Sequence, residues 1–366
     1  MLRSGAGGAW RGCGLRADFG LGKAELKRGR GERTTLHDVA TKAGVSAITV
    51  SRALREPEKV TPELRSRILQ LVEEMSYVPD QAARALASRH NSTFGVLVPS
   101  LSNRAVIGLM QGIEERVRDT TFRIQYANTH NCVQEERRQV RLLLSQNTAG
   151  IVLGGLEGLD DLRETIERAN CPIIQVVDVG LPTPGTVIAL DHFEAAAAAT
   201  RHLIACGYRR IALMGATMAE RSRRRTEGYS LAMHEAGLFD PGLIHHENAT
   251  SSTQMGSRML HRAISIAPDL DGVFCQNDDI ALGVLFEARR MGKRVPDDFG
   301  ICGYNDLDFS AVMEPPLTTI RTPLFEIGYR AADMMIRAAD GKPAPQQVIN
   351  LGFELIERRT TRRLPQ

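Results

Sequence analysis

The chain has 366 residues, of which 43% are hydrophobic, and a formal net charge of +3. This length allows two or three domains with sizeable cores, and no apolar run of about 18 residues marks a candidate transmembrane span. Six scattered cysteines without a C-x-x-C pair argue against a disulfide scaffold or a zinc site and fit a reducing cytoplasm. We therefore expect no metal and no cofactor.

The first 33 residues carry the excess of positive charge. They contain eight Lys or Arg against three Asp or Glu, a net charge of +5 that leaves −2 for the remainder. The segment is rich in Gly and Arg and has neither apolar periodicity nor a hydrophobic block before a cleavage site. We predict a disordered basic tail over residues 1–33 without a specific function, and not a secretion signal. Non-specific attraction to DNA is the alternative.

Two short helices joined at a glycine are predicted next. The apolar stripe of the first helix consists of Leu36, Val39, Ala40 and Ala43. Their spacing is that of one face of a helix, and Thr35 precedes it as a cap. Gly44 supplies the bend, and Ser46 is placed to cap the second helix. Two helices in this order are typical of a helix-turn-helix.

The second helix is predicted to show a polar side to solvent. Val50, Ala53 and Leu54 turn inward, whereas the outward positions are Ala47, Ile48, Ser51 and Arg52. A third helix begins at Thr61-Pro62, a cap followed by a first-turn proline. The three helices make one small domain over residues 34–79. An ordinary three-helix bundle without a ligand is the alternative from helical spacing alone.

The segment from Thr35 to about Ser100 resembles the head of the lactose/galactose repressor (LacI/GalR) family of bacterial transcription regulators. The matching residues are Leu36, Asp38-Val39-Ala40, Ala43-Gly44-Val45-Ser46, Thr49-Val50-Ser51-Arg52, Tyr77-Val78-Pro79, Ala83 and Leu86. The resemblance implies base contacts from Ala47, Ile48 and Arg52 in the major groove, with Arg52 suited to a bidentate pair with guanine. It implies phosphate contacts from Thr35, Ser46, Thr49 and Ser51.

The same resemblance implies a hinge helix and linker over residues 80–92. Ala83 and Leu86 would face the minor groove, where an apolar side chain can wedge between base pairs and kink the duplex. A plain alanine-rich linker helix is the alternative.

Buried strands and amphipathic helices alternate from Phe94 onward. The strand candidates are Phe94–Val98, Phe122–Ala127, Gly150–Leu153, Pro172–Val177, Thr186–Leu190, Arg210–Met214, Gly272–Cys275 and Phe299–Cys302. The helix candidates are Ala105–Thr120, Gln134–Ser145, Phe193–Cys206, Arg223–Ala236 and Ile280–Met291. Short continuous apolar runs between helices indicate doubly wound parallel sheets, so the fold class is α/β.

The resemblance implies a two-lobed core of periplasmic-binding-protein-like (type I) fold over residues 93–366, crossed three times by the chain. We expect the first lobe at about 93–190 and 321–347 and the second at about 191–320 and 348–360. The crossings then lie near Asp191, Ile320 and residue 347. Ligands of open α/β sheets bind beyond the carboxyl ends of the strands, so the cleft between the lobes is the expected effector site.

Polar residues follow several of the predicted strands. The candidate effector-binding residues are Ser100, Asn103, Arg104, Asp178, Arg223, Arg225, Asn277 and Asn305. The resemblance places Asp178, Arg225, Asn277 and Asn305 at positions that bind ligand hydroxyls or carboxylates. A strand-end Asn or Asp taken singly is more often a turn former or a helix cap.

The charge of these candidates points to an acidic ligand. Asn305 stands where many sugar-binding relatives carry Asp, and Arg221-Ser-Arg-Arg-Arg225 groups four guanidinium groups, of which at most two can face inward on helical spacing. The whole chain resembles the gluconate-utilisation repressors of the family most, which implies a sugar-acid effector such as gluconate, a ketogluconate or a phosphorylated form. His245-His246-Glu247 reads as a solvated polar loop.

The resulting prediction is a cytoplasmic, nucleoid-associated repressor whose affinity for a pseudo-palindromic operator changes when the effector binds. We expect a homodimer, because one head would bind weakly. A neutral sugar effector or a corepressor is the alternative within the family. A sugar-modifying enzyme is the remote alternative, disfavoured because no dinucleotide or phosphate loop and no catalytic set appears. A transport-associated solute-binding protein would need a secretion signal and no DNA-binding head.

Overall fold

The computed structural model describes residues 34–78, 92–154, 159–179, 185–216, 219–342 and 348–361. The chain divides into two compact units, Met1–Gln81 and Ala82–Gln366. The positions predicted for the basic tail and for most of the hinge, including Ala83 and Leu86, lie outside the described residues.

The first unit is a bundle of three helices. These are α1 (Leu36–Ala43), α2 (Ala47–Arg55) and α3 (Pro62–Glu74), with a 3₁₀ turn at Pro57–Lys59. Val39, Val50 and Ile68, one residue from each helix, are fully buried and form the centre of the core. The helix-turn-helix expected from the apolar stripes is confirmed.

Each helix of this unit begins at the predicted cap. The hydroxyls of Thr35, Ser46 and Thr61 accept the backbone N–H three residues on, and Thr35 forms a reciprocal capping box with Asp38. Gly44 ends α1 with φ of 66°, a left-handed conformation that costs glycine little. Local sequence therefore sets the N-termini of all three helices and the C-terminus of α1.

The second unit contains a first sheet of six parallel strands. Its strands are β1 (Thr93–Val98), β2 (Arg123–Asn128), β3 (Gly150–Gly154), β4 (Ile173–Asp178), β5 (Thr186–Leu190) and β11 (Val348–Asn350). Their spatial order is β11-β5-β4-β3-β1-β2. The central strands are buried along their length, as the continuous apolar runs predict.

A second sheet of six strands forms the other lobe. Its strands are β6 (Ile211–Gly215), β7 (Ile244–His246), β8 (Gly272–Cys275), β9 (Gly300–Asn305), β10 (Thr318–Arg321) and β12 (Glu354–Ile356). The spatial order is β12-β10-β9-β8-β6-β7. Only β12 runs antiparallel to its neighbour among these strand pairs.

Eight helices cover the two sheets in the described part of this unit. Those of the first lobe are α4 (Ala105–Val117), α5 (Val133–Ser145), α6 (Leu159–Glu167) and α11 (Leu324–Ala339). Those of the second lobe are α7 (His192–Ala205), α8 (Glu220–Glu235), α9 (Thr253–Ile266) and α10 (Asp278–Arg290). The doubly wound architecture is confirmed, although sequence periodicity missed α6, α9, α11 and the strands β7, β10, β11 and β12.

The chain passes between the lobes three times. The first passage lies at Asp191, between β5 and α7, and the second at Thr322 and Pro323, between β10 and α11. The third follows Asn350, because β11 pairs with β5 in the first sheet and β12 with β10 in the second. The boundary expected near residue 347 is therefore wrong by a few residues: the short β11 still belongs to the first lobe.

Asp278 holds together the loop that follows β9. Its buried carboxylate accepts hydrogen bonds from the backbone N–H groups of Tyr304 and Leu307, both at 2.7 Å. The hydroxyls of Ser310 (2.9 Å) and Thr319 (2.7 Å) also donate to it. Burial raises the pKa of Asp278 to about 6 despite these four donors. One side chain thus ties the start of α10 to β9, β10 and the segment between them.

Replacing Asp278 with Ala should leave those four donors unsatisfied. We expect the free energy of unfolding to fall by about 3–5 kcal/mol, the usual cost of removing one partner from a buried charged network. Urea denaturation of the full chain followed by circular dichroism measures the change. The exposed Asp340 at the end of α11 offers a matched control, and equal midpoints for Asp278→Ala and Asp340→Ala would contradict the role given to Asp278.

Candidate functional site

The exposed side of α2 is the first candidate site. Ile48 is 65% exposed, an unusual position for a large apolar side chain, and Arg52 is exposed one turn further on. Arg52 forms no hydrogen bond or ion pair within the described residues, so its guanidinium donors are available to an external partner. Ser51 and Arg55 also lie on this side, and the Arg55 guanidinium donates to the Ser51 hydroxyl.

The other predicted contacts of this unit lie at helix ends. The hydroxyls of Ser46 and Thr49 are 2.9 Å apart, and Ser46 also accepts the N–H of Thr49. The Thr35 hydroxyl is 2.6 Å from the Asp38 carboxylate. These side chains already serve as caps, so a phosphate would compete for them or bind to the backbone beside them.

Ala47 departs from the expected outward orientation. It is half-buried and packs against the helical core with Val45 and Leu54. The reason is that helical side chains tilt toward the N-terminus, which brings the first residue of α2 onto the preceding turn. Arg55 is the residue of this surface that the sequence analysis missed, and its spacing of four from Ser51 was the available signal.

A cavity of about 180 Å³ in the second unit is the second candidate site. It lies where the carboxyl ends of strands from both sheets meet, with the N-terminal turn of α8 forming part of one wall. Liquid water occupies about 30 Å³ per molecule, so this volume corresponds to roughly six waters. The position beyond the strand ends is the one expected for ligands of parallel sheets.

Six of the eight predicted effector residues line this cavity. They are Ser100, Asn103, Asp178, Arg225, Asn277 and Asn305. Two of them also cap helices or turns: the Asn103 side-chain oxygen accepts the N–H of Ala105 at 3.1 Å, and that of Asn277 accepts the N–H of Asp279 at 2.7 Å. The side-chain NH₂ groups of both remain without a partner in the described structure. A capping role and a place in the cavity wall are thus compatible.

Arg225 is the most unusual of these residues. Its side chain is buried, its guanidinium lies 4.3 Å from the centroid of the Tyr304 ring, and its donors reach the backbone carbonyls of Gln276 and Arg221. No carboxylate of the described residues forms an ion pair with it. Burial lowers the pKa of Arg225 to about 10, so it stays charged near neutral pH. The cavity wall therefore contains a buried positive charge without a counter-ion.

Asp178, unlike Arg225, has a charged partner in the other lobe. One carboxylate oxygen accepts the backbone N–H of His192 at 3.3 Å, while the other is buried, lies 3.4 Å from Arg224 Nε and accepts no hydrogen bond. Burial raises the pKa of Asp178 to about 6, against the lowering effects of the His192 N–H and Arg224. Because Asp178 and Arg224 belong to different lobes, this pair also spans the cleft.

Two of the eight predicted residues, Arg104 and Arg223, do not line the cavity. Arg223 pairs with Glu220 and is half exposed, because two residues along a helix correspond to a rotation of about 200° away from Arg221 and Arg225. Arg104 reaches across to the second lobe, with Nε 3.4 Å from the Asp279 carboxylate. Its guanidinium also lies 5.6 Å from the centroid of the Phe309 ring.

Several cavity residues were missed in the sequence. Arg221 lies in the wall one turn before Arg225, His192 begins α7, and Gln276 directly follows β8. Gln276 is held by Ser222, whose hydroxyl donates to its side-chain oxygen at 2.8 Å. Gln276 could have been found, because it is a polar residue directly after a predicted strand. His192 follows a crossing between the lobes, and no sequence pattern marked it as a cavity residue.

His245 and His246 are not part of a solvated loop. They form the edge strand β7, which pairs with β6, and both are half-buried. His246 Nε2 lies 3.3 Å from the Thr226 hydroxyl, and burial lowers the pKa of both imidazoles. An edge strand of three residues is too short for its alternation to be read from sequence.

The described part of the chain contains neither a candidate membrane-spanning helix nor a candidate metal cluster. None of its helices is long and apolar enough to cross a membrane. Within the same residues, no group of three or more His, Cys, Asp or Glu side chains is placed to hold a metal ion.

Comparisons with known proteins agree for both units. The family pattern described as bacterial regulatory proteins, lacI family, matches residues 35–80, and a periplasmic binding protein-like domain matches residues 200–361. The HTH-type transcriptional regulator GntR of Pseudomonas aeruginosa is 37% identical over 329 residues, which cover 90% of this chain and 96% of that protein.

Solved structures show the same similarity. The transcription regulator GntR from Chromobacterium violaceum is 34% identical with a TM-score of 0.70, covering 74% of this chain and 99% of its own. The lac repressor dimer bound to operator and the anti-inducer ONPF is 25% identical with a TM-score of 0.78, covering 90% and 99%.

The burial of Asp178 predicts a measurable titration. We expect its carboxyl ¹³C resonance to titrate with a pKa of about 6 in the free protein, above the usual value of 3.8. Replacing Arg224 with Met should raise that pKa further, because a cation that stabilises the carboxylate is lost. Replacing the exposed Arg223 with Met serves as the control, and a wild-type pKa at or below 3.8 would contradict the desolvated environment.

Proposed function

Because this chain belongs to the lacI family of bacterial regulatory proteins, and is therefore a DNA-binding transcription regulator and not an enzyme, we propose that it represses genes of sugar-acid use. In this proposal a gluconate-like effector binds in the cavity between the lobes and changes operator affinity. The observation that carries the proposal is the buried guanidinium of Arg225, which has no carboxylate partner among the described residues.

The charge of the cavity supports an anionic ligand. The carboxylates in its wall, Asp178 and Glu220, already have Arg224 and Arg223 as ion-pair partners. Arg225 has only backbone carbonyls and an aromatic ring, and Arg221 adds a second positive charge one turn away. A buried charge without a partner is costly, so a carboxylate or phosphate placed there gains both Coulombic energy and hydrogen bonds.

The remaining wall supports a polyhydroxylated chain beside that anion. Asn103, Asn277 and Asn305 provide amide groups, and Asp178 provides a buried oxygen that accepts no hydrogen bond. Hydroxyl groups can donate to the carboxylate and exchange hydrogen bonds with the amides. The relatives named GntR and the resemblance to gluconate-utilisation repressors support the same class of ligand. A neutral sugar would leave Arg225 without a counter-ion, which disfavours it.

The expected consequence of binding follows from linkage. An effector that binds one arrangement of the lobes more tightly shifts the protein toward it, and operator affinity changes by the same coupling free energy. Couplings of this kind amount to about 1–3 kcal/mol, roughly 5- to 150-fold in affinity. We propose that the effector lowers operator affinity, with a corepressor as the opposite outcome. A homodimer on a pseudo-palindromic operator would supply two copies of the α2 surface.

The role proposed for Arg52 predicts a loss of sequence-specific DNA binding. Arg52→Ala should weaken binding to genomic sites selected by the wild-type protein by about 1–3 kcal/mol, since a bidentate contact to guanine is lost. Fluorescence anisotropy with selected and random duplexes measures both affinities at one salt concentration. The control is Arg65→Ala, which removes one exposed charge from α3. Equal losses on both duplexes would instead indicate a phosphate contact.

The role proposed for Arg225 predicts a selective loss of acid binding. Arg225→Gln should weaken the binding of gluconate or its 6-phosphate about 30-fold or more, because a desolvated charge-assisted contact disappears. Arg262→Gln removes the same charge from the exposed side of α9, outside the cavity wall, and should change affinity by less than about twofold. Titration calorimetry with both acids and with D-glucose measures this. Tight binding of glucose and of neither acid would overturn the proposed effector class.

A further inference from the structure

His192 is a cavity residue whose role the family resemblance does not supply. It is the first residue of α7, directly after the first passage between the lobes, and it lines the cavity near Arg225. Its backbone N–H binds the Asp178 carboxylate, which fixes the position of the residue. The imidazole itself takes no part in that contact, so its two ring nitrogens need a separate explanation.

One ring nitrogen is held by Tyr304. Nδ1 of His192 lies 2.7 Å from the Tyr304 hydroxyl, and the Tyr304 side chain is fully buried. Burial raises the pKa of Tyr304, so the phenol keeps its hydrogen. That hydroxyl has no other partner among the described residues. It must therefore donate to Nδ1, since an unsatisfied O–H in the interior would cost about 1–3 kcal/mol.

The surroundings of His192 also favour a neutral imidazole. Burial is the main cause that lowers the pKa of the imidazole, and the nearby guanidinium groups of Arg225, Arg221 and Arg224 lower it further. The ring is therefore neutral, with one nitrogen as acceptor and the other as donor. Because Nδ1 accepts from Tyr304, the hydrogen resides on Nε2.

The donor nitrogen remains available to a ligand. Nε2 forms no hydrogen bond with the described residues, and His192 is only half-buried and lines the cavity. The Tyr304 ring that fixes Nδ1 also packs against the guanidinium of Arg225 at 4.3 Å. The same aromatic side chain thus positions a neutral donor and a charged donor on one wall.

We propose that His192 is a further effector ligand, whose Nε2–H donates to an oxygen of the anionic group bound by Arg225, with the Tyr304 hydroxyl selecting the tautomer. This inference rests on the proposed function, because it assumes an acidic effector at Arg225. An uncharged donor beside the guanidinium can bind a second oxygen of a carboxylate or phosphate without adding another buried charge. His192 would in this way distinguish acids from neutral sugars of equal size.

Two substitutions test the roles of the two ring nitrogens separately. His192→Asn keeps an acceptor near Nδ1 for Tyr304 and removes the Nε2 donor, and it should weaken gluconate binding about 10- to 100-fold. His192→Gln can place its NH₂ group near Nε2 and should bind gluconate within about fivefold of the wild type. Titration calorimetry with gluconate and D-glucose gives the affinities, and urea denaturation shows whether either variant is destabilised.

The tautomer is tested directly by ¹⁵N-histidine NMR of the full-length wild-type protein. We expect His192 to be neutral with hydrogen on Nε2, and Tyr304→Phe, which keeps the ring but removes the hydroxyl, to abolish this preference. A wild-type imidazole with hydrogen on Nδ1 would overturn the inference, even if the Asn variant fails to fold.

The outcomes distinguish this inference from the function on which it rests. Gluconate binding that is present in the wild type, lost in Arg225→Gln and retained in His192→Asn would overturn the role of His192 alone. Wild-type protein that binds D-glucose and neither gluconate nor its 6-phosphate would overturn both. Parallel losses in Arg225→Gln and His192→Asn, with recovery in His192→Gln, would support both.

Discussion

A guanidinium buried without a carboxylate partner defines the chemistry of the cavity. Arg225 is held by an aromatic ring and two backbone carbonyls, which orient it without neutralising it. The carboxylates in the same wall are paired with other arginines. The positive charge at this wall is thus maintained by the way the ion pairs are distributed, and not by an excess of basic residues.

That arrangement depends on a chain of contacts that begins behind the cavity wall. Asp278 accepts the N–H of Tyr304 and so fixes the end of β9, and Tyr304 in turn contacts both His192 and Arg225. Asp278 does not line the cavity. A residue adjacent to Asn277 in sequence therefore supports the wall from behind, while Asn277 faces the cavity and caps α10.

Local signals predicted much of the fold and part of the site. The caps at Thr35, Ser46 and Thr61 begin helices as expected, since a hydroxyl three residues before an N–H acts within one turn. Strand ends led to five of the six predicted residues that line the cavity, and the family resemblance led to the sixth, Arg225. Arg104 and Arg223 lie outside the cavity wall, because the direction in which a long side chain points depends on partners such as Asp279 and Glu220.

The sequence by itself determined the α/β class, the helix-turn-helix and the residue types at the strand ends, because periodicity, capping and turn chemistry act between near neighbours. Only the tertiary structure decided that β11 stays in the first sheet, that His245 and His246 form an edge strand and that His192 joins Arg225 at one wall. These features join segments far apart in the chain. Their geometry follows from the way these distant segments pair and pack in the fold. A short window of sequence carries no information about it.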